Sequence, residues 1–115
     1  MSRNPSVVLH FRDLEIDDVV REAVERRCDH LADEFHEVNR FELTISENGT
    51  GFIAHGHATG KNTDVATHAE AEAARTASDQ VLDKIERQLR RVHDKRIFGR
   101  RREAQRDSPK RRESL

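Results

Sequence analysis

The sequence predicts an α+β domain of order β-α-β-β-β-α, with a four-stranded sheet and two helices packed on one of its faces. Three observations carry this prediction. The hydrophobic period switches from two to helical between "SVVLHF" and "DDVVREAVERRCDHLADEF". Two alternating runs flank Asn48-Gly49, a favoured pair for a tight hairpin turn. The Ala/Glu-rich segment 64–72 places its small residues on one face only if it is extended.

In the first strand Val7, Leu9 and Phe11 share one face, and Val8, His10 and Arg12 the other. The first helix follows. Val20, Val24, Cys28, Leu31 and Phe35 recur at i, i+4, i+8, i+11 and i+15, which makes a single apolar stripe. Asp17 suits the N-cap, and Asp18 suits the positive end of the helix dipole. Phe41, Leu43 and Ile45 then alternate with Glu42, Thr44 and Ser46. A type I′ turn at Asn48-Gly49 pairs Ile45 with Phe52 and Leu43 with Ala54.

The segment "DVATHAEAEAARTASDQVL" admits two readings. As part of one helix from Asp64 to about Arg96 it would extend the stripe of Val81, Ile85, Leu89 and Val92 backward. That stripe then meets only Ala77, Ala74, Ala71, Glu70 and Thr67, with Val65 on the solvated side. The helix would also be about 50 Å long, which is long for a compact domain of this size. As a strand, Val65, Thr67, Ala69 and Ala71 face the core, and a two-residue loop at Lys61-Asn62 pairs Ala58 with Val65, Ala54 with Ala69 and Phe52 with Ala71. Ala and Glu helix preferences are tenths of a kcal/mol per residue and yield to tertiary context. The strand is therefore the reading adopted. The last helix starts between Ala73 and Ser78 and ends near Lys95. A right-handed first crossover places the first helix on one face of the sheet, and the last helix covers the same face.

Composition narrows the class. The chain has 115 residues, 37% of them charged, no Trp or Tyr, five Phe and one Cys. That is one domain (residues 1–96) with a thin core, followed by a basic tail (residues 97–115) expected to be disordered. No apolar run approaches the roughly 20 residues of a membrane span. The N-terminus lacks a secretory signal's apolar block, and Cys28 has no partner for an internal disulfide, so a cytoplasmic protein is expected.

The near-zero net charge hides a segregation. Residues 1–72 hold 7 Lys/Arg and 15 Asp/Glu, whereas residues 73–115 hold 14 and 7. A basic surface for a polyanion is expected from such asymmetry, although charges that simply solvate the surface give the same count. The order of elements, "HFRDLEIDDVVREAVERRCDHLADEF" near the start and "ASDQVLDKIERQLRRVHDK" near the end resemble the ribosome hibernation promoting factors, also called ribosome-associated inhibitors or sigma-modulation-type proteins, in their short form. The resemblance covers about residues 6–96, and "DKIERQLRRVHDK" is its most specific piece. It implies a fold similar to double-stranded-RNA-binding domains. It also implies a translation inhibitor that binds the small ribosomal subunit and its ribosomal RNA in the decoding channel and excludes messenger and transfer RNA. No cofactor, membrane or small-molecule substrate is implied. The family's Asp-aromatic pair before the last helix is absent here, where the chain reads "EAARTAS", and the first helix is unusually acidic.

Spacing alone places Lys84, Arg87, Arg91 and Lys95 at i, i+3, i+7 and i+11 on one flank of the last helix, while Asp79, Asp83 and Glu86 gather nearer the opposite flank. A row of one sign can follow phosphates, and Arg offers them a bidentate fork. The same row is also consistent with a solvated face whose cations suit the helix C-terminus. Arg90 and Arg96, with Arg100, Arg101 and Arg102 in the tail, complete the expected RNA-binding set.

His10, His55, His57 and His68 are expected on the open sheet face, with His55 opposite His68. Without a Cys pair or HExxH-type spacing they read as polar side chains rather than as a zinc or nickel site. No phosphate loop, nucleophile elbow or nucleophile-base pair is present, so no enzyme is expected. The competing readings are a binding module for another structured RNA or a protein, suggested by the acidic first helix, and a small metal-dependent protein built on those histidines.

Overall fold

The computed structural model describes the backbone of residues 5–106 and the side chains of residues 5–94. The elements are β1 (Ser6–Phe11), α1 (Asp18–Glu34), β2 (Val38–Asn48), β3 (Gly51–Gly60), β4 (Thr63–Ala71) and α2 (Ala74–Arg106). The strands lie side by side in the order β1-β2-β3-β4. β1 runs parallel to β2, and the other two pairings are antiparallel. This is the α+β order expected. Among the described residues no helix is long and apolar enough to cross a membrane.

Local chemistry sets the element boundaries. After β1 the chain turns at Asp13, whose φ of 58° lies in the left-handed region that Asp and Asn tolerate better than bulkier residues. The Asp17 carboxylate accepts hydrogen bonds from Val19 N (3.0 Å) and Val20 N (3.2 Å), which caps α1 as expected. The helix closes at Phe35, whose N–H donates to Leu31 O at 2.8 Å. The β3–β4 hairpin has the register read from the sequence: Ala58 faces Val65, Ala54 faces Ala69 and Phe52 faces Ala71. Asn62 takes the positive φ in its two-residue loop.

The β2–β3 hairpin differs from the expected register by two residues. Ile45 pairs with Ala54 and Leu43 with Gly56, and Asn48 joins the ladder opposite Gly51. The turn residues are therefore Gly49 and Thr50. Gly49 has φ +66° and Thr50 does not share a positive φ, the sign pattern of a II′ turn, which needs glycine only at its first central position. A slip of two preserves side-chain parity, so every residue keeps its expected face.

The core lies between the sheet and the two helices. Val20, Val24, Cys28 and Leu31 of α1 and its C-cap Phe35 are buried, as are Val81, Ile85 and Leu89 of α2. Val92 is only half-buried, while Leu82 and Ser78, outside the expected stripe, are fully buried. Ser78 satisfies its hydroxyl on Ala74 O at 2.8 Å. Each large aliphatic side chain removed from water contributes about 1.5–3 kcal/mol.

α2 lies over β3 and β4, where the sheet offers Ala54, Gly56, Ala58 and Ala69. A Cβ at Gly56 would stand 2.7 Å from Ile85 Cδ1 and 3.2 Å from Val81 Cγ2. The missing side chain is what lets the helix settle on the sheet.

Across the helix pair runs an alternating chain of charges. Arg27 of α1 bonds Asp83 at 2.5 Å and Glu86 at 3.0 Å, and Arg90 bonds Glu86 and Glu34 at 2.8 Å each. The Arg90 guanidinium also lies 5.5 Å from the Phe35 ring centre.

α2 continues as helix to Arg106, past the end expected near Lys95. "RRREAQR" consists of good helix formers, and Gly99, at about 1 kcal/mol, is too small an interruption to stop it. With 33 residues the helix is about 50 Å long. A helix of this length fits the domain, so length does not exclude a helical segment 64–72, and the distribution of apolar side chains alone decides that segment. The remainder of the expected tail, residues 107–115, lies outside the described residues.

Three expectations follow from this packing. Gly56→Val should destabilise the fold by about 1–3 kcal/mol through overpacking, with Gly56→Ala costing less because Ile85 Cδ1 is the free end of a side chain; denaturant unfolding measures both. Burial pushes the Cys28 thiol up to about 12, so a disulfide reagent at mildly alkaline pH should modify native protein only as fast as it opens, and denatured protein at once. The hydrogen bond from Arg27, helped by Arg90 and opposed by burial, holds the Glu86 carboxyl below its ordinary value of 4.5. A depressed folded value means stability that is present above pH 4.5 and lost as pH falls through the folded value. Thermal unfolding across that range should show a smaller acid loss in Glu86→Gln than in wild type.

Candidate nucleic-acid interface

α2 is amphipathic in charge as well as in hydrophobicity. Its carboxylates on the side toward α1 are matched within the fold: Asp79 with Arg75 at 3.4 Å, Asp83 with Arg27, and Glu86 with Arg27 and Arg90. The opposite flank is different. Arg87 and Arg91 are exposed and form no ion pair among the described residues. With Lys84, Gln88 and Val92 they line a shallow open groove. Asp94, on the next turn, is exposed and forms no ion pair among the described residues. Lys84 is exposed too, and its ammonium donates to His68 O at 2.8 Å, which ties this flank of the helix to β4.

The expected RNA-binding residues are therefore divided. Lys84, Arg87 and Arg91 come together on one surface. Arg90 does not join them, because the 3.6-residue period turns it toward α1, where Glu34, Glu86 and Phe35 hold it. The side chains of Lys95, Arg96, Arg100, Arg101 and Arg102 lie outside the described residues. Gln88 and Val92 were not expected in the groove. The signal was available, since both lie beside Arg87 and Arg91 on the same helical face.

Two other surfaces frame this one. A groove between α1 and the first turns of α2 is lined by Ala23, Arg26, Arg27, His30, Arg75, Asp79 and Asp83, whose opposite charges largely offset one another. The acidic row Glu22, Glu25, Asp29 and Asp33 is exposed on α1. It is separated from Arg87 and Arg91 by the interhelical ion chain.

On the open sheet face, His55 and His68 stand opposite each other as expected, with ring centres 5.8 Å apart. His57 meets Asp64 at 2.5 Å, and His10 lies 3.6 Å from Glu42. Among the described residues no group of three or more His, Cys, Asp or Glu is placed to hold a metal ion.

The family model described as sigma 54 modulation protein / S30EA ribosomal protein matches residues 7–97. Among solved structures, the chain is similar to a ribosomal subunit interface protein from Coxiella burnetii, with 16% identity and a TM-score of 0.71. It is also similar to the N-terminal domain of Thermus thermophilus Protein Y, with 24% identity and a TM-score of 0.66. Each match covers 77% of this chain and 98% of the other, and at such identities it shows a shared fold. The comparison with curated proteins finds no match. The match to the family model spans most of the chain, from β1 into α2, and the protein belongs to the sigma 54 modulation protein / S30EA ribosomal protein family, that of the hibernation promoting factors its sequence resembles.

Proposed function

We propose that this protein is a non-enzymatic, cytoplasmic ribosome-binding factor that occupies the decoding channel of the small subunit when growth slows and thereby excludes messenger and transfer RNA. The observation that carries this reading is the uncompensated flank of α2. The three carboxylates facing α1 are matched by arginines, and Arg87 and Arg91 are left to solvent on the other side. Family membership and the likeness to proteins named for the ribosomal subunit interface and as Protein Y support a ribosomal partner.

The mechanism is steric. A sheet backed by two helices is a rigid body, and guanidinium-phosphate contacts from one flank of a helix fix its position without reading sequence. Lys84, held at β4, sets the orientation of that flank relative to the sheet. The helix continues as backbone to Arg106, a run whose sequence includes Arg96, Arg100, Arg101 and Arg102. In this reading the acidic row of α1 faces away from the RNA.

Co-sedimentation with purified small subunits over a salt series tests this reading. Arg87→Glu with Arg91→Glu should weaken binding by on the order of 100-fold at low salt and make the logarithmic salt slope shallower by about two, one for each lost phosphate contact. Circular dichroism should show an unchanged fold, since both side chains are exposed. Glu22→Lys with Glu25→Lys should not weaken binding. A folded Arg87/Arg91 double variant that binds like wild type at every salt concentration would remove this flank from the mechanism.

A further inference from the structure

The interface on α2 makes no use of the open sheet face, where four of the protein's seven histidines stand. The strand registers align His10, Thr44, His55 and His68 in one straight rank across all four strands. Neighbouring strands are about 4.8 Å apart, so the rank presents three imidazoles and a hydroxyl at close, regular steps. Beside it, His57 stands in the next rank with Glu42 and Ala66, and a shallow dish is lined by Glu42, Thr44, His55, Gly56, His57 and Ala66. His10, His55 and His68 are exposed, and among the described residues both helices pack on the other face.

The remaining charges that the strand registers place on the face are Arg40 against Glu42, Asp64 and Glu70. With neutral imidazoles the face is net acidic by two charges, and with four imidazoliums it is net basic by two. His57 and His10 have carboxylates at hand in Asp64 and Glu42. His55 and His68 form no ion pair among the described residues and face each other, and two like charges directly opposite on adjacent strands repel. A bound anion bridging them turns that repulsion into two charge-assisted hydrogen bonds.

We propose that the open sheet face is a second contact surface for the phosphate backbone of RNA, gated by pH, with the His10–Thr44–His55–His68 rank as its anion-binding line. It rests on the reading of the protein as an RNA binder, and it adds a condition: the second surface engages as pH falls through the range, about 8 to 5, in which imidazoles gain charge. The protein then grips RNA from two sides, by permanent cations on α2 and by conditional ones on the sheet. Acidification converts a face that repels phosphate into one that attracts it.

Fluorescence anisotropy of the full chain with a fluorescein-labelled oligouridine, at about pH 8 and about pH 6, tests the gate. Wild-type affinity should rise roughly tenfold on acidification at fixed low salt. His55→Asn with His68→Asn should remove most of that rise while leaving binding at the higher pH unchanged. His55→Lys should do the opposite, strengthening binding at the higher pH and flattening the pH dependence. A full rise in the double variant would overturn the proposal, since it would place the effect outside the His55–His68 pair that anchors the rank, in His10, His30, His36, His57 or His93. So would no rise in wild type, or an unaltered His55→Lys protein. Poly-glutamate competing as well as unlabelled oligouridine would overturn the assignment to RNA in favour of an acidic protein. Parallel co-sedimentation with small subunits separates the two readings. A pH-gated oligouridine complex with no subunit binding at either pH would leave the second surface standing and remove the ribosome. Subunit binding with the same pH dependence in wild type and the His55/His68 double variant would do the reverse.

Discussion

The close approach of α2 to the small-residue face of β3 and β4 is the constraint on which the rest of the structure depends. Gly56 leaves the space that Ile85 and Val81 fill, and Ala54, Ala58 and Ala69 keep the surrounding surface low. A core poor in aromatic residues cannot gain much by stacking large rings. It gains instead by bringing backbones close, so that modest side chains are wholly removed from water. The same approach brings Lys84 within reach of the His68 carbonyl and so sets which flank of α2 faces outward beside β4.

Once α2 is seated, electrostatics sort its two flanks. The side toward α1 has its carboxylates consumed by Arg27, Arg75 and Arg90. Partly buried pairs of this kind contribute little to stability individually, but each depends on its neighbour, because Glu86 serves both Arg27 and Arg90. Their larger effect is on function. Among the described residues, pairing of Asp79, Asp83 and Glu86 leaves Arg87 and Arg91 unpaired on the other side of the helix, and a charge surplus on one face gives a polyanion a defined docking orientation rather than diffuse attraction.

The sheet divides its two faces just as sharply. One is given over to packing, with large side chains on β2 and small ones on β3 and β4. The other carries imidazoles and carboxylates in transverse ranks that neither described helix covers. Antiparallel sheets commonly keep one face solvated in this way, and the period of two lets one strand serve core and surface independently. Histidines are well suited to such a surface. They cost little to expose, and they change charge in a range where Lys, Arg and carboxylates do not.

Much of this was legible in the chain. The apolar stripe of α1, the cap at Asp17, the Lys61-Asn62 hairpin with its register and the pairing of His55 with His68 all follow from local patterns whose partners lie nearby in sequence. The extended state of 64–72 was also legible, through where its valine and alanines fall rather than through helix length, since α2 attains about 50 Å anyway. The β2–β3 register was not. Asn48-Gly49 suits one turn and Gly49-Thr50 another, and both preserve the buried face, so parity cannot choose between them. Arg90 was the other case. Its spacing fits a basic helix, but its partners Glu34 and Phe35 belong to a helix more than fifty residues earlier, and only packing brings them together. By itself the sequence determined which residues share a face, because side-chain period is a local property of the backbone. Tertiary structure decided which charges on those faces remain free, because neutralisation depends on neighbours that the chain's order does not reveal.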